Sequence, residues 1–288
     1  QIWDTEHWEL LVTISEAYVN SAEWNPTGDM LAGVRGGLNE TVLIWDPTTG
    51  ELIREMTRER PADVPGILIL HDLAWSPDGS KIATDSGLSS DLLLIWDLAG
   101  NDNPQSLVVG YPEMSGSDWM NIAELEWSQN GRWLLASGSD GNFRSRSIIR
   151  LYDAVTGETV RTTFPGFNPI WGPNDEQFAG LTIRGGSYFI NIWDVNTGII
   201  QSTFQAHEGG TSNMSWDFDM SFIAGVTNHG LGIREPLIVW DVERRTRHEI
   251  EEIQTPFATD IEWQQNGTQL AIPDLYEGVT IINFEFGA

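Results

Sequence analysis

Short apolar runs alternate with polar turns from one end of this chain to the other. Trp24, Trp75, Trp127, Trp171, Trp216 and Trp263 recur every 44 to 52 residues. The text around them repeats as EWNPTGDMLAGV, AWSPDGSKIATD, EWSQNGRWLLAS, IWGPNDEQFAGL, SWDFDMSFIAGV and EWQQNGTQLAIP. Each copy reads as an apolar strand, a tight turn and a second apolar strand. Gly and Asn in those turns supply the positive φ that hairpins demand.

A second series lies 19 to 25 residues behind the first: QIWDTEHWELL, LIWDPTTGELI, LIWDLAGNDNP, RLYDAVTGETV, NIWDVNTGIIQ, IVWDVERRTRH and TIINFEFGA. Here an apolar strand ends in Trp-Asp or Tyr-Asp, followed by a turn and another strand. The repeating unit is therefore four strands, a to d, counted from the first Trp. These two series absorb all but Trp8, Trp119 and Trp133 of the tryptophans.

The Trp-Asp ending, the WSPDG turn and the period near 45 resemble the WD-repeat β-propeller family, over essentially the whole chain. The resemblance implies an all-β fold of four-stranded antiparallel blades in a ring, with residues 1–288 as one domain. Such a sheet cannot bury both faces alone; stacked radially, each blade covers its neighbour and Trp rings fill the gap. The family's Gly-His pair and turn Asp are represented only by His207, preceded by Ala206, and by Asp140 in a different repeat. The family's buried polar network is thus expected to be mostly missing, with stability resting on apolar packing.

Twenty-five strands are expected: c and d from the N-terminal piece, five complete blades over 21–57, 70–110, 122–164, 168–205 and 212–252, and a, b and c from 259–286. This count suits a seven-bladed type with an incomplete N-terminal blade, short of roughly 30 residues. The alternative is six-bladed, with Trp8–Ile14 as the missing d strand beside 279–286. Residue 1 is Gln and no signal peptide is visible, so the chain reads as a processed form or a fragment.

Composition changes the picture in three ways. Fourteen Trp with 40% hydrophobic residues exclude a disordered chain. A net charge of −27, from 42 acidic and 15 basic residues, argues against nucleic-acid binding as the main function. It also argues against anionic membrane surfaces, and no apolar run is long enough for membrane insertion. The absence of Cys removes disulfides, thiolate metal sites and Cys nucleophiles, and slightly favours an extracellular or periplasmic bacterial protein.

No enzyme constellation appears: no HExxH, phosphate-binding loop, GxSxG elbow or nominable Ser/His/Asp set. No cofactor or metal is expected. The turns Asp217-Phe218-Asp219 and Asn101-Asp102-Asn103 each offer too few oxygens for Ca²⁺. His207 reads as a structural blade histidine.

Blade order puts the a–b and c–d turns on one rim, short and acidic, and the b–c and d–a loops on the other. The second rim holds Arg35, Arg144, Arg146, Arg184 and Arg234, and two insertions, Thr57–Ile69 and Gly110–Asn121. Irregular loops on a rigid scaffold tend to carry function. The resemblance makes this rim the usual partner surface, with contacts four and six residues before the strand-a Trp. Carried over, these include Tyr18, Asn20, His71, Asn121, Phe167 and Phe257, to which Trp119 and Tyr188 add interface aromatics. The competing account neutralises each Arg on a neighbour such as Glu40, Asp140 or Glu235. The expected function is a non-catalytic scaffold docking a protein partner or multi-subunit assembly. A secreted carbohydrate-binding propeller is the alternative, weakened because Trp8, Trp119 and Trp133 occupy non-equivalent places in the repeat.

Overall fold

A computed structural model of the protein describes residues 1–4, 9–14, 18–59, 69–86, 92–100, 104–108, 120–140, 147–208, 210–227, 235–254, 258, 260–263, 269–274 and 278–284. Twenty-five strands and no helix occur among the described residues. The chain divides into two compact units, Gln1–Thr163 and Phe164–Ala288.

The first unit opens with a hairpin of β1 (Ile2–Trp3) and β2 (Leu10–Val12). Three four-stranded sheets follow, each antiparallel and in sequence order. The first blade is β3–β6 (Ser21–Trp24, Leu31–Arg35, Glu40–Trp45, Leu52–Arg58) and the second is β7–β10 (Leu73–Trp75, Lys81–Asp85, Leu92–Asp97, Gln105–Val108). The third is β11–β14 (Met120–Trp127, Trp133–Asp140, Ser147–Asp153, Thr159–Pro165), whose last residues belong to the second unit.

The second unit holds the fourth blade, β15–β18 (Phe167–Trp171, Gln177–Arg184, Ser187–Asp194, Ile200–Gln205). The fifth is β19–β22 (Asn213–Trp216, Phe222–Val226, Pro236–Asp241, Thr246–Gln254). A three-stranded sheet, β23–β25 (Glu262–Trp263, Gln269–Asp274, Gly278–Asn283), ends it. The strand order a-b-c-d is the one the two Trp series predict, and the N-terminal c and d strands do pair.

One local design serves every described a–b turn. The residue after the strand-a Trp accepts a backbone hydrogen bond three residues on: Gly28 N–H to Asn25 O (3.0 Å), Gly79 to Ser76 (2.8 Å), Gly131 to Ser128 (2.9 Å). Gly28, Gly79 and Gly131 take φ of 73°, 68° and 69°, where a Cβ is strained. The same first residue spends its side chain across the hairpin. Asn25, Ser76, Ser128 and Asp217 accept from the backbone N–H of Met30, Lys81, Trp133 and Phe222 at 2.8 to 2.9 Å.

The Asp of each Trp-Asp ending works similarly. Asp46, Asp153, Asp194 and Asp241 accept from Thr48, Val155, Thr197 and Arg244 N–H at 2.6 to 3.0 Å, closing the c–d turn. The acidity of this rim is therefore largely turn chemistry.

Apolar clusters lie between adjacent sheets. Val34, Val42, Ile44 and Met56 of the first blade pack on Leu73, Trp75, Ile82 and Trp96 of the second. Leu93 and Ile95 of the second pack on Ile122, Leu134 and Tyr152 of the third. Two corresponding clusters join the fourth blade to the fifth and the fifth to β23–β25. Trp96, Trp193 and Trp240 are fully buried, as the second series predicts. Trp24 departs from its own series, 45% exposed where Trp75, Trp127, Trp171, Trp216 and Trp263 are buried. In its unit only the short β1–β2 hairpin precedes the first blade.

Buried polar contacts from residues outside the family's Gly-His and turn-Asp pattern also tie the strands. Glu40, wholly buried, receives Arg58 at 2.9 Å and the Ser86 hydroxyl at 2.7 Å. Buried Asn191 donates to Thr182 (2.7 Å) and accepts from Thr203 (2.7 Å). Trp96 Nε1–H donates to Thr84 (3.0 Å). His207 joins Thr211 (2.8 Å) and the Pro236 carbonyl (3.0 Å), edge-on to Trp240, and is structural as read.

Candidate partner-binding rim

The loops of the first unit bring Tyr18, Asn20, Arg35 and His71 together. Asn20 N–H donates to Val34 O (3.0 Å), beside Arg35, while its side-chain amide donates to Leu70 O (2.7 Å), beside His71. Asn20 is thus a brace between the first and second blades. Tyr18, two residues earlier, is 92% exposed. Arg35 ends β4 and pairs with Glu55 on β6 at 3.0 Å, both half open to water. The carboxylate the sequence nominates for it, Glu40, is instead taken by Arg58 in the core.

His71 is held on one side only. Its Nδ1 lies 2.7 Å from Asp85 Oδ2 and its backbone N–H donates to Asp85 Oδ1 (2.9 Å). Burial pushes the Asp85 carboxyl up, and the hydrogen bonds from His71 pull it back. The imidazole still shows 53% of its side-chain surface to water.

In the second unit, Arg184 closes β16 before a Gly185-Gly186 turn with φ of 60° and 86°. It is exposed and forms no ion pair among the described residues. Tyr188, on β17, is half-buried, and a Cβ on Gly210 would lie 3.0 Å from its ring. Phe167 is half-buried against the cluster of the fourth and fifth blades. Both aromatics are part core and part surface. Asn121 lies on β11, its side chain outside the description. Trp119, Arg144, Arg146, Arg234 and Phe257 lie outside the described residues.

The feature missed from sequence lies on the inner strands. Three places before each strand-a Trp stands a polar residue: Ser21, Asp72, Glu124, Asn168, Asn213 and Asp260. Ser21, Asp72, Asn168, Asn213 and Asp260 link neighbouring blades, while Glu124 accepts from Ser137 in its own sheet. Ser21 donates to Asp72 (3.2 Å), and Leu125 N–H donates to the other Asp72 oxygen (2.9 Å). Asn168 donates to Ser212 O, and Asn213 to Asp260 (3.0 Å). Glu23 Oε2 accepts the Trp75 N–H (3.2 Å), and Ser215 joins Glu262 (3.3 Å) and the Trp263 N–H (3.1 Å). The recurrence of polarity at that place was the available signal.

Packing raises several of these carboxyls. Glu23 keeps part of its surface in water, but burial of its carboxyl, with Asp72 nearby, pushes it to about 8 against the pull of the Trp75 N–H. Burial takes Asp72 to about 6, with Glu124 adding to the rise. Glu262 likewise keeps part of its surface in water, while burial of its carboxyl and the charge of Asp260 push it to about 7. No group of three or more His, Asp or Glu is placed to hold a metal among the described residues.

The model of the WD domain, G-beta repeat, matches residues 8–46 and 113–145. Periodic tryptophan protein 2 homolog of Caenorhabditis elegans is 24% identical over 70% of this chain and 20% of its own length. F-box-like/WD repeat-containing protein TBL1X of Macaca fascicularis is 26% identical over 70% of this chain and 33% of its own. Small ribosomal subunit protein RACK1y of Oryza sativa is 27% identical over 50% of this chain and 39% of its own. The chain thus spans between a fifth and about two fifths of the length of these relatives. A chain in the crystal structure of the mitotic checkpoint complex shares the fold, with a TM-score of 0.71 at 16% identity over 98% of this chain and 82% of that one.

These relatives correct the expected extracellular or periplasmic bacterial location. They are eukaryotic proteins, and one is a ribosomal subunit protein. A lack of Cys was too weak a signal to decide compartment. No helix among the described residues is long and apolar enough to cross a membrane. Strand order, the paired Trp series and these likenesses agree: the chain carries matches to the WD-repeat model over residues 8–46 and 113–145 and is similar in sequence and fold to WD-repeat β-propeller proteins.

Proposed function

We propose that the chain, as one β-propeller domain, is a non-catalytic scaffold that docks protein partners through its b–c/d–a loop rim. The observation that carries this is the exposed guanidinium of Arg184, which forms no ion pair among the described residues, beside a two-glycine turn in a molecule of net charge −27. A guanidinium there can pair with a partner carboxylate or stack on an aromatic ring. Tyr18, Arg35 and His71 form the matching patch of the first unit. A relative named as a ribosomal subunit protein, together with the mitotic checkpoint fold neighbour, supports work within assemblies. None of these names favours the carbohydrate-binding alternative.

The test replaces Arg144, Arg146 and Arg184 with Ser. Folding should be nearly unchanged, while partner capture and its salt sensitivity fall. Equal capture by the triple variant, with loss on changing the acidic turn rim, would show the working face to be the opposite one.

A further inference from the structure

Lys81 is the only lysine in the chain. It opens β8 in the first unit, on the acidic turn rim. There the a–b turns of the second and third blades and the c–d turn of the third enclose an open cleft of about 310 Å³. That is at the small end of ligand pockets, which run to about 300–1,000 Å³. Pro77, Trp127, Ala154 and Val155 supply its apolar walls, and Asp78 and Lys81 are its charged lining residues.

The two charges are in different situations. Asp78 spends one oxygen on the hydroxyls of Ser76 (2.7 Å) and Ser80 (2.8 Å) and on the Ser80 N–H (3.0 Å). Those bonds, with a smaller pull from the Lys81 charge, hold its carboxyl down at about 2. Lys81 forms no ion pair among the described residues, although this rim is dense in carboxylates. Its register partner Asp97 caps Ala99 N–H (2.8 Å), and Asp153 of the next blade caps Val155 and Thr156 N–H (3.0 Å each).

Val155 is an independent observation. The second residue after the turn Asp is Thr48, Ala99, Asn196 and Glu243 in the other complete blades, and Val155 only here. It leaves a branched aliphatic side chain 70% exposed at the lip of the cleft. An available cation beside an apolar wall and an exposed aliphatic lip suits a ligand that carries one charge and one apolar group.

We propose that this cleft seats an acidic–aliphatic step of a partner polypeptide. Its carboxylate pairs with the Lys81 ammonium, and the adjoining apolar side chain covers Pro77, Trp127 and Val155. The site lies on the rim opposite Tyr18, Arg35 and His71, so it does not depend on the loop-rim reading.

The single lysine makes the test clean. Reductive methylation of the full chain with ¹³C-formaldehyde keeps the charge and labels one side-chain amine, read apart from the terminal amine by NMR. The labelled protein is titrated with pools of acetylated tetrapeptide amides fixed for Glu beside Leu, and with the same pools carrying Gln for Glu. The Lys81 signal should shift saturably with the Glu pools, about tenfold more weakly with the Gln pools, and hardly at all in the Val155→Glu variant. The terminal amine signal should stay still. Val155 is exposed, so that variant folds; an unchanged amide spectrum checks it. No saturable shift, equal shifts from Glu and Gln pools, or a shift that survives Val155→Glu would each overturn the proposal.

Discussion

Two kinds of residue have sharply defined tasks. Trp96 and Trp193 are 1% and 2% exposed, the latter stacked on Phe178 with centroids 5.1 Å apart. Replacing either by Ala should cost about 3–5 kcal/mol by urea denaturation. Trp24→Ala should cost no more than about 1 kcal/mol, since 45% of its surface already meets water. Gly225 carries the opposite constraint. A Cβ there would lie 2.8 Å from the Trp240 ring and 2.9 Å from Thr211. Gly225→Ala should therefore destabilise by about 1–3 kcal/mol through overpacking. Arg245 holds φ at 57° in a c–d turn where Gly50, Gly157 and Gly198 hold 68° to 75°. Arg245→Gly should keep or raise the thermal midpoint, because the left-handed conformation costs a side-chain-bearing residue roughly 1–2 kcal/mol.

The inner strands set a pH dependence. Glu23, Asp72 and Glu262 have folded pKa values of about 8, 6 and 7, all above the ordinary carboxylate range. Their contribution is fully present below that ordinary range and is lost as pH rises through about 6 to 8. The denaturation midpoint should thus fall between pH 5 and 8.5, and Glu23→Gln with Asp72→Asn should flatten the decline. A midpoint that rises over that range would contradict this assignment. The elements themselves were legible in sequence, because two recurring Trp marks fix where strands a and c end. The belt joining them was not: Ser21, Asp72 and Asn213 look like ordinary surface polar residues until the next blade supplies the partner. His71 was readable as a rim residue, but its tie to Asp85 spans 14 positions and a turn. Arg35 similarly found Glu55 across two strands of its own sheet, a pairing that register decides.

For the whole molecule, the charge of −27 is distributed by task. Turn carboxylates such as Asp46 and Asp29 are held below their usual range by the hydroxyls of Thr48 and Thr27. They stay charged in any ordinary buffer and keep that rim repulsive to anions. High salt should therefore weaken capture through the Arg loops more than it weakens folding. Three indole hydrogen bonds between blades among the described residues run one way. Trp75 donates to the Glu23 carbonyl, Trp127 to Ala74 and Trp240 to Gln205, each donor following its acceptor in the chain by 35 to 53 residues. A ribosome releases the acceptor first. In these pairs the later blade therefore emerges with its dock already made by the blade before it, and assembly within each unit during synthesis can advance in one direction, like links added to the open end of a chain.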